Sequence, residues 1–135
     1  MHTLICFALK EEAAPFRKIA AGKTDISILI VGIGRENAKK SARKFLAENS
    51  PELVLTCGFA GGLNPVLKIG DVVFQTGNQQ LEIENELLAA GAKPAKFFCA
   101  DRIATTIAEK QALRAETGAD VVEMESAAIH DVCGE

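Results

Sequence analysis

The sequence predicts an α/β protein in which helices cover both faces of a mostly parallel sheet. Segments of strand length alternate with segments of helical pattern along the whole chain. The predicted strands, such as Thr3–Leu9 and Ile26–Val31, are continuous apolar runs rather than alternating patterns. Continuous apolar strands are typical of sheets buried on both faces. We therefore expect three layers, with a central mixed, mostly parallel sheet flanked by helices.

The elements follow from apolar periodicity and from helix start and stop signals. The segment Arg35–Asn49 places Ala38, Ala42 and Phe45 on one face and lysines on the other, and Pro51 follows its end. Further strands are predicted at Leu53–Cys57, Asp71–Gln75, Ala95–Cys99 and up to Val122, and further helices at Glu11–Ala20, Leu81–Ala90, Thr106–Thr117 and Met124–Val132.

Length and composition favour one domain over residues 1–135, without repeats or linkers. A net charge of −3 gives no reason to expect nucleic acid or an anionic membrane as partner. No apolar run approaches the roughly 20 residues of a membrane span, and no leader is visible, so we expect a cytoplasmic protein. The four cysteines are scattered, which favours buried reduced thiols and no metal site.

A short apolar strand runs directly into a helix near the end of the chain. This junction carries Glu123, Met124 and Glu125. A helix N-terminus favours an ionised carboxylate, and ligands of open α/β sheets bind at such strand-to-helix junctions. A carboxylate held there can accept one hydrogen bond from each hydroxyl of a sugar diol. We therefore expect sugar recognition at this junction.

A glycine turn, Gly32-Ile33-Gly34, follows a predicted strand and precedes Arg35. It is a weak match to a dinucleotide fingerprint, because Asn37 occupies the place of the third glycine. Its backbone N–H groups suit an anion or sugar contact. A tight turn needed only for packing is the alternative.

A second glycine-rich stretch, Thr56–Leu63, also follows a predicted strand, and Leu67–Val73 comes after it. Together with Val122–Ser126 and the early Glu11-Glu12 pair, these segments resemble the nucleoside phosphorylase and nucleosidase superfamily. Within it, the methylthioadenosine/S-adenosylhomocysteine nucleosidase branch is the most similar. The resemblance extends from Leu4 to Val132 and implies a nucleoside phosphorylase-like fold.

The resemblance implies cleavage of the N-glycosidic bond of a purine nucleoside. Glu12 matches a glutamate that orients or deprotonates the attacking water, although a Lys-Glu-Glu sequence alone is typical of a solvated helix start. Met124 and Glu125 match a ribose-binding pair, with Glu123 as the alternative carboxylate. The nucleophile or phosphate pocket is expected at Gly34, Arg35, Thr56, Gly58, Phe59, Ala60 and Gly61.

Phe59 stands where the family commonly has a serine, so its side chain cannot donate a hydrogen bond to phosphate. This favours water as nucleophile, with phosphate open as a co-substrate and no other cofactor expected. Base contacts are expected at Asp101 and Ile103, although Asp101 is equally suited to cap a helix.

The resemblance also implies a general-acid aspartate in a later segment, with a further strand and helix, beyond the 135 residues. One expectation is therefore a truncated or minimal form with weak or no catalysis. A nucleoside- or purine-binding module, and a subunit completed by a partner chain, are the alternatives. A homo-oligomer, dimer or higher, is expected on family grounds.

Overall fold

We describe the fold from a computed structural model, which describes residues 1–77 and 81–134. The strands are β1 Thr3–Phe7, β2 Ile26–Ile30, β3 Leu53–Cys57, β4 Gly61–Gly62, β5 Val73–Phe74, β6 Lys93–Pro94, β7 Phe97–Cys99 and β8 Val121–Glu123. The helices are α1 Lys10–Ala20, α2 Arg35–Glu48, α3 Leu81–Ala89, α4 Ile107–Thr117 and α5 Ser126–Cys133.

The chain forms two compact units. The first comprises Met1–Phe59 together with the chain from Met124 onward, and the second comprises Ala60–Glu123. The first unit therefore contains β1, β2, β3, α1, α2 and α5, and the second contains the other elements.

The sheet of the first unit is parallel and has the order β2-β1-β3. Phe7, the last residue of β1, lies opposite Ile30 of β2 and Cys57 of β3. All three strands therefore end at the same edge of the sheet, and the turns that follow them meet there.

Alternate residues of β1 face opposite sides of this sheet, as the strand repeat requires. Leu4 and Cys6 pack in a cluster with residues of α2 and α5, whose buried members include Ala38, Ala128 and Ile129. On the other face, the buried residues are Ile5, Phe7 and Ala13, with Phe16 packed against them. The sheet is thus covered by helices on both faces, as the apolar strands predicted.

The second unit pairs β4, β8 and β7 in that order, with β4 antiparallel and β7 parallel to β8. Its core includes Leu63, Ala100, Ala119 and Val122. A separate parallel pair joins β5 to β6. Since β4–β8 is the antiparallel pairing and the other pairings of the described strands are parallel, the prediction of mixed, mostly parallel pairing is confirmed.

Asp120, directly before β8, ties together three segments of the second unit. Its carboxylate accepts hydrogen bonds from the backbone N–H of Lys96 at 2.8 Å, from Asn64 Nδ2 at 2.9 Å and from Arg114 Nη1 at 3.1 Å. These donors hold the pKa of Asp120 below its ordinary value, the Lys96 N–H most strongly.

The cysteines correct one expectation. Cys6 is buried and Cys99 half-buried, but Cys57 and Cys133 are exposed, and all four are unbridged. Cys57 is exposed because it ends the outer strand β3, and Cys133 because it ends α5. Within the described ranges, no helix combines the length and apolar character needed to cross a membrane.

Candidate active site

The turns after β1 and β2 run side by side at the carboxyl edge of the first unit. Beyond the strands, the backbone N–H of Val31 still donates to Phe7 O at 2.9 Å, and that of Gly32 to Ala8 O at 3.1 Å. These bonds hold the β2–α2 turn against the β1–α1 turn. Any side chains fixed by the two turns are therefore at the same end of the sheet.

Glu12 lies in the first turn of α1, and its carboxylate joins two segments of the sheet edge. Oε1 accepts a hydrogen bond from the backbone N–H of Leu9 at 3.0 Å, and Oε2 accepts one from the backbone N–H of Phe59 at 2.7 Å. The bond to Leu9 is the carboxylate half of a capping box, because Leu9 precedes the helix and Glu12 is its third residue. The bond to Phe59 ties Glu12 to the residue that follows β3 and Gly58.

The Glu12 carboxylate lies so close to the backbone at position 58 that only glycine fits there. A Cβ atom at Gly58 would lie 3.0 Å from Glu12 Cδ and nearer still to Oε2. Only a residue without a side chain allows Glu12 to reach the Phe59 N–H in this position.

Glu125 contacts the turn after β2, as Glu12 contacts the segment after β3. Its Oε1 accepts a hydrogen bond from the backbone N–H of Gly34 at 3.2 Å, and its Oε2 accepts one from the N–H of Met124 at 3.0 Å. Glu125 directly precedes α5, so the partial positive charge of the helix N-terminus adds to these two donors. Two backbone donors thus fix each of two carboxylates at one edge of a parallel sheet.

The turn that presents Gly34 has an unusual backbone. Gly32 and Gly34 have φ of +83° and +88°, values that L-residues with side chains rarely adopt. Asn37 in α2 donates from Nδ2 to Ile33 O at 3.0 Å. In the sequence, Asn37 stands out only as a departure from a glycine fingerprint, and this contact to Ile33 was not predicted.

Other residues singled out by the sequence have these positions. Phe59 is 87% exposed, and Arg35 and Thr56 are also exposed. Ala60, Gly61, Asp101, Ile103 and Glu123 belong to the second unit. There Gly61 pairs with Val122, Ile103 is exposed, and Glu123 pairs with Cys99 at the end of β8.

The alternative assignment of Asp101 as a helix cap is wrong. The residue that caps α4 is Thr106, whose Oγ1 accepts a hydrogen bond from the N–H of Glu109 at 3.1 Å.

In the part of the chain that the structure describes, no three histidine, cysteine or acidic side chains are grouped so as to hold a metal ion. The fixed polar groups at the sheet edge are carboxylate oxygens with backbone N–H partners. Such groups suit an uncharged ligand that donates hydrogen bonds, such as a sugar or a water molecule.

The fold and this sheet edge define an α/β protein with two fixed carboxylates at the ends of parallel strands, the edge at which ligands of such sheets bind. Residues 8–98 match the sequence profile described as the Phosphorylase superfamily. Because that match spans more than half of the sequence, the chain belongs to this superfamily.

Individual relatives agree with this assignment. The chain is 35% identical over 97 residues to a 5′-methylthioadenosine/S-adenosylhomocysteine nucleosidase of Glaesserella parasuis, an alignment that covers 64% of this chain and 41% of the relative. The aligned part of the chain thus spans less than half of that relative's length.

Solved structures show the same fold. A futalosine hydrolase mutant of Helicobacter pylori matches with a TM-score of 0.87 at 18% identity, covering 99% of this chain and 80% of that one. The 5′-methylthioadenosine/S-adenosylhomocysteine nucleosidase of Neisseria meningitidis, in complex with methylthio-immucillin-A, matches with a TM-score of 0.83 at 21% identity, covering 98% and 79%. The nucleoside phosphorylase-like fold is therefore shown.

Proposed function

We propose that this chain binds a purine nucleoside at the carboxyl edge of β1, β2 and β3 and cleaves its N-glycosidic bond with water. The observation that carries the proposal is the Glu12 carboxylate, held between the N–H groups of Leu9 and Phe59. Nucleosidase relatives and the neighbour in complex with methylthio-immucillin-A support the same substrate class.

The position of Glu12 suits the activation of water. An ionised carboxylate has about four acceptor positions, and the two backbone donors use one on each oxygen. Glu12 can therefore accept a hydrogen bond from water while it remains fixed. As the water oxygen bonds to the anomeric carbon, Glu12 takes its proton, and the base leaves with the electron pair of the broken C–N bond and takes a proton from solvent water.

The same contacts favour water over phosphate as the nucleophile. A phosphate at a glycine-rich turn binds chiefly to backbone N–H groups. At this edge, the N–H groups of Leu9 and Phe59 donate to Glu12, and the Phe59 side chain has no donor. A phosphate placed there would also lie beside a carboxylate of like charge.

Glu125 is the proposed ribose ligand, with Met124 beside it. Its two oxygens are held by the N–H groups of Gly34 and Met124. A carboxylate so held can accept one hydrogen bond from each hydroxyl of a vicinal diol. Glu125 contacts the β2–α2 turn through Gly34, whereas Glu123 pairs with Cys99 at the end of β8. This difference supports Glu125 over Glu123.

The proposed function also includes the kind of substrate, the location in the cell and the assembly. The substrate is a small-molecule nucleoside. We also propose a cytoplasmic homo-oligomer, on the family resemblance and the scattered free thiols.

The test is chromatographic detection of free base from 5′-methylthioadenosine and a panel of purine nucleosides, with and without phosphate. We expect release of adenine that does not depend on phosphate. Release only with phosphate would contradict the proposed role of Glu12. Binding without release would replace catalysis by a nucleoside-binding function.

Substitution of Glu12 tests its role directly. We expect Glu12→Gln to lower the rate of base release by about 10²- to 10⁴-fold, because the amide cannot accept the proton of water. Glu11→Gln is the matched control, since Glu11 is its exposed neighbour in the same helical turn. Equal rates for the two variants would remove Glu12 from the mechanism.

A further inference from the structure

Asn37 and Glu125 are bound to opposite sides of one peptide group. The carbonyl oxygen of Ile33 accepts the hydrogen bond of Asn37 Nδ2 at 3.0 Å. The N–H of Gly34, which belongs to the same peptide group, donates to Glu125 Oε1 at 3.2 Å. A peptide group is planar and its C=O and N–H point in opposite directions, so fixing one fixes the other.

The glycine on one side of this peptide makes the fixation necessary. The Ile33–Gly34 peptide turns about ψ of Ile33 and φ of Gly34, and Gly34, at a φ of +88°, is a glycine that adopts either sign of φ at similar cost. The Ile33–Gly34 peptide can therefore rotate about its axis unless something holds its carbonyl. After such a rotation, the carbonyl oxygen rather than the N–H of this peptide would face Glu125.

Gly32 also makes room for Asn37. A Cβ at Gly32 would lie 3.1 Å from Asn37 Cβ, closer than most real contacts. Gly32 thus leaves the space that Asn37 occupies, and Gly34 donates its N–H to the Glu125 carboxylate.

We infer that Asn37 is a positioning residue that holds the Ile33–Gly34 peptide so that the Gly34 N–H orients Glu125 toward the ribose hydroxyls. This inference rests on the proposed function for its role in ribose binding. The part of the inference that concerns structure, namely that Asn37 fixes the orientation of the Gly34 N–H, does not depend on that function. The hydrogen bond to the Ile33 carbonyl also polarises the peptide and makes Gly34 a stronger donor.

The chain offers a matched control on the same helix. Asn49 at the other end of α2 donates from Nδ2 to Phe45 O at 3.0 Å, the same bond to the carbonyl four residues earlier. Asn37→Ala and Asn49→Ala therefore remove the same kind of hydrogen bond at opposite ends of α2. Asn37→Ser supplies a hydroxyl that can bond to the same carbonyl, so it is the conservative variant.

The first measurement is amide hydrogen exchange of Gly34 in the full chain. We expect faster exchange at Gly34 in Asn37→Ala, exchange near the original rate in Asn37→Ser, and no change at Gly34 in Asn49→Ala. Unchanged exchange at Gly34 in Asn37→Ala would overturn the inference, whatever the ligand data show.

The second measurement compares the affinities of adenosine and 2′,3′-dideoxyadenosine by titration. The original protein should prefer adenosine, and Asn37→Ala should reduce that preference by about 2- to 10-fold, the worth of one hydrogen bond. Asn49→Ala should retain the preference, and a preference equally retained in Asn37→Ala would overturn the inference. Absence of any preference in the original protein would refute the ribose role of Glu125, while Gly34 exchange still decides whether Asn37 holds the turn.

Discussion

Phe59 shows why a residue has to be judged by its backbone as well as by its side chain. The sequence reasoning considered the phenyl ring and concluded that it cannot donate a hydrogen bond. In the structure the backbone N–H of Phe59 donates to Glu12, 47 positions away in the chain. The residue type at position 59 does not reveal this bond, because any residue except proline carries the same donor.

Substitution of Gly58 should affect activity as well as stability. In Gly58→Ala, the new methyl group meets the end of the flexible Glu12 side chain, so Glu12 must move, and the φ of +155° at this position is one that residues with side chains rarely adopt, so the backbone is strained too. We expect base release to fall by about 10- to 100-fold, because small displacements of a catalytic group are costly. Gly22→Ala is the control, since Gly22 also has a positive φ and a Cβ there has open space. Equal rates in the two variants would show that Glu12 does not need this position.

The two carboxylates at the end of β8 can be compared directly. We expect Glu125→Gln to weaken nucleoside binding by about 10-fold or more, because an amide oxygen accepts hydrogen bonds less strongly than a carboxylate oxygen. Glu123→Gln should bind nearly normally. The measurement is the dissociation constant of adenosine, with circular dichroism to verify folding. The reverse ranking would assign the ribose to Glu123.

At the level of elements, the helices and the apolar strands were predicted at their places, and two of the two-residue strands were missed. The helix predicted at Arg35–Asn49 is observed at Arg35–Glu48, and the strand predicted at Leu53–Cys57 has those bounds. The strands β4 and β6 were missed because Gly-Gly and Lys-Pro have no strand signature. Such pairs become strands only because neighbouring segments offer them partners, which local sequence does not encode.

The ends of α4 illustrate how local chemistry sets an element's stability. Thr106 caps its N-terminus, and Gly118 ends it in the left-handed conformation with its N–H bonded to Arg114 O at 2.7 Å. We expect Thr106→Ala to lower the free energy of unfolding by about 1 kcal/mol. The exposed turn residue Thr24 provides the control variant Thr24→Ala. Urea denaturation measures both, and an unchanged midpoint for Thr106→Ala would contradict the capping role.

At the level of the whole molecule, the two units should respond to opposite extremes of pH. The donors around Asp120 in the second unit lower its pKa from 3.8, so the stability it contributes is present above about pH 4 and lost as pH falls further. Burial, with smaller effects from Cys133 and Cys57, raises the pKa of Cys6 in the first unit from 9.0 to about 12. The stability from Cys6 is therefore complete below about pH 9 and lost as pH rises toward 12.

Hydrogen exchange as a function of pH measures this difference, since it reports on each unit separately. We expect acid to open residues of the second unit first and alkali to open those of the first. Asp120→Asn should flatten the acid dependence, and Cys6→Ala the alkaline one. Simultaneous opening of both units at each extreme would refute the assignment of these two groups.

The chain leaves the first unit at Phe59 and returns to it at Met124. During synthesis, the three strands of the first unit and the helices α1 and α2 are made long before α5. One face of their sheet therefore lacks its last helix until the whole second unit has been made. Contacts this distant in sequence form slowly, and the waiting apolar face is open to misassociation. Glu125 directly precedes α5 and is made together with it. The contacts of Glu12 can therefore form early, whereas those of Glu125 form only at the end of folding.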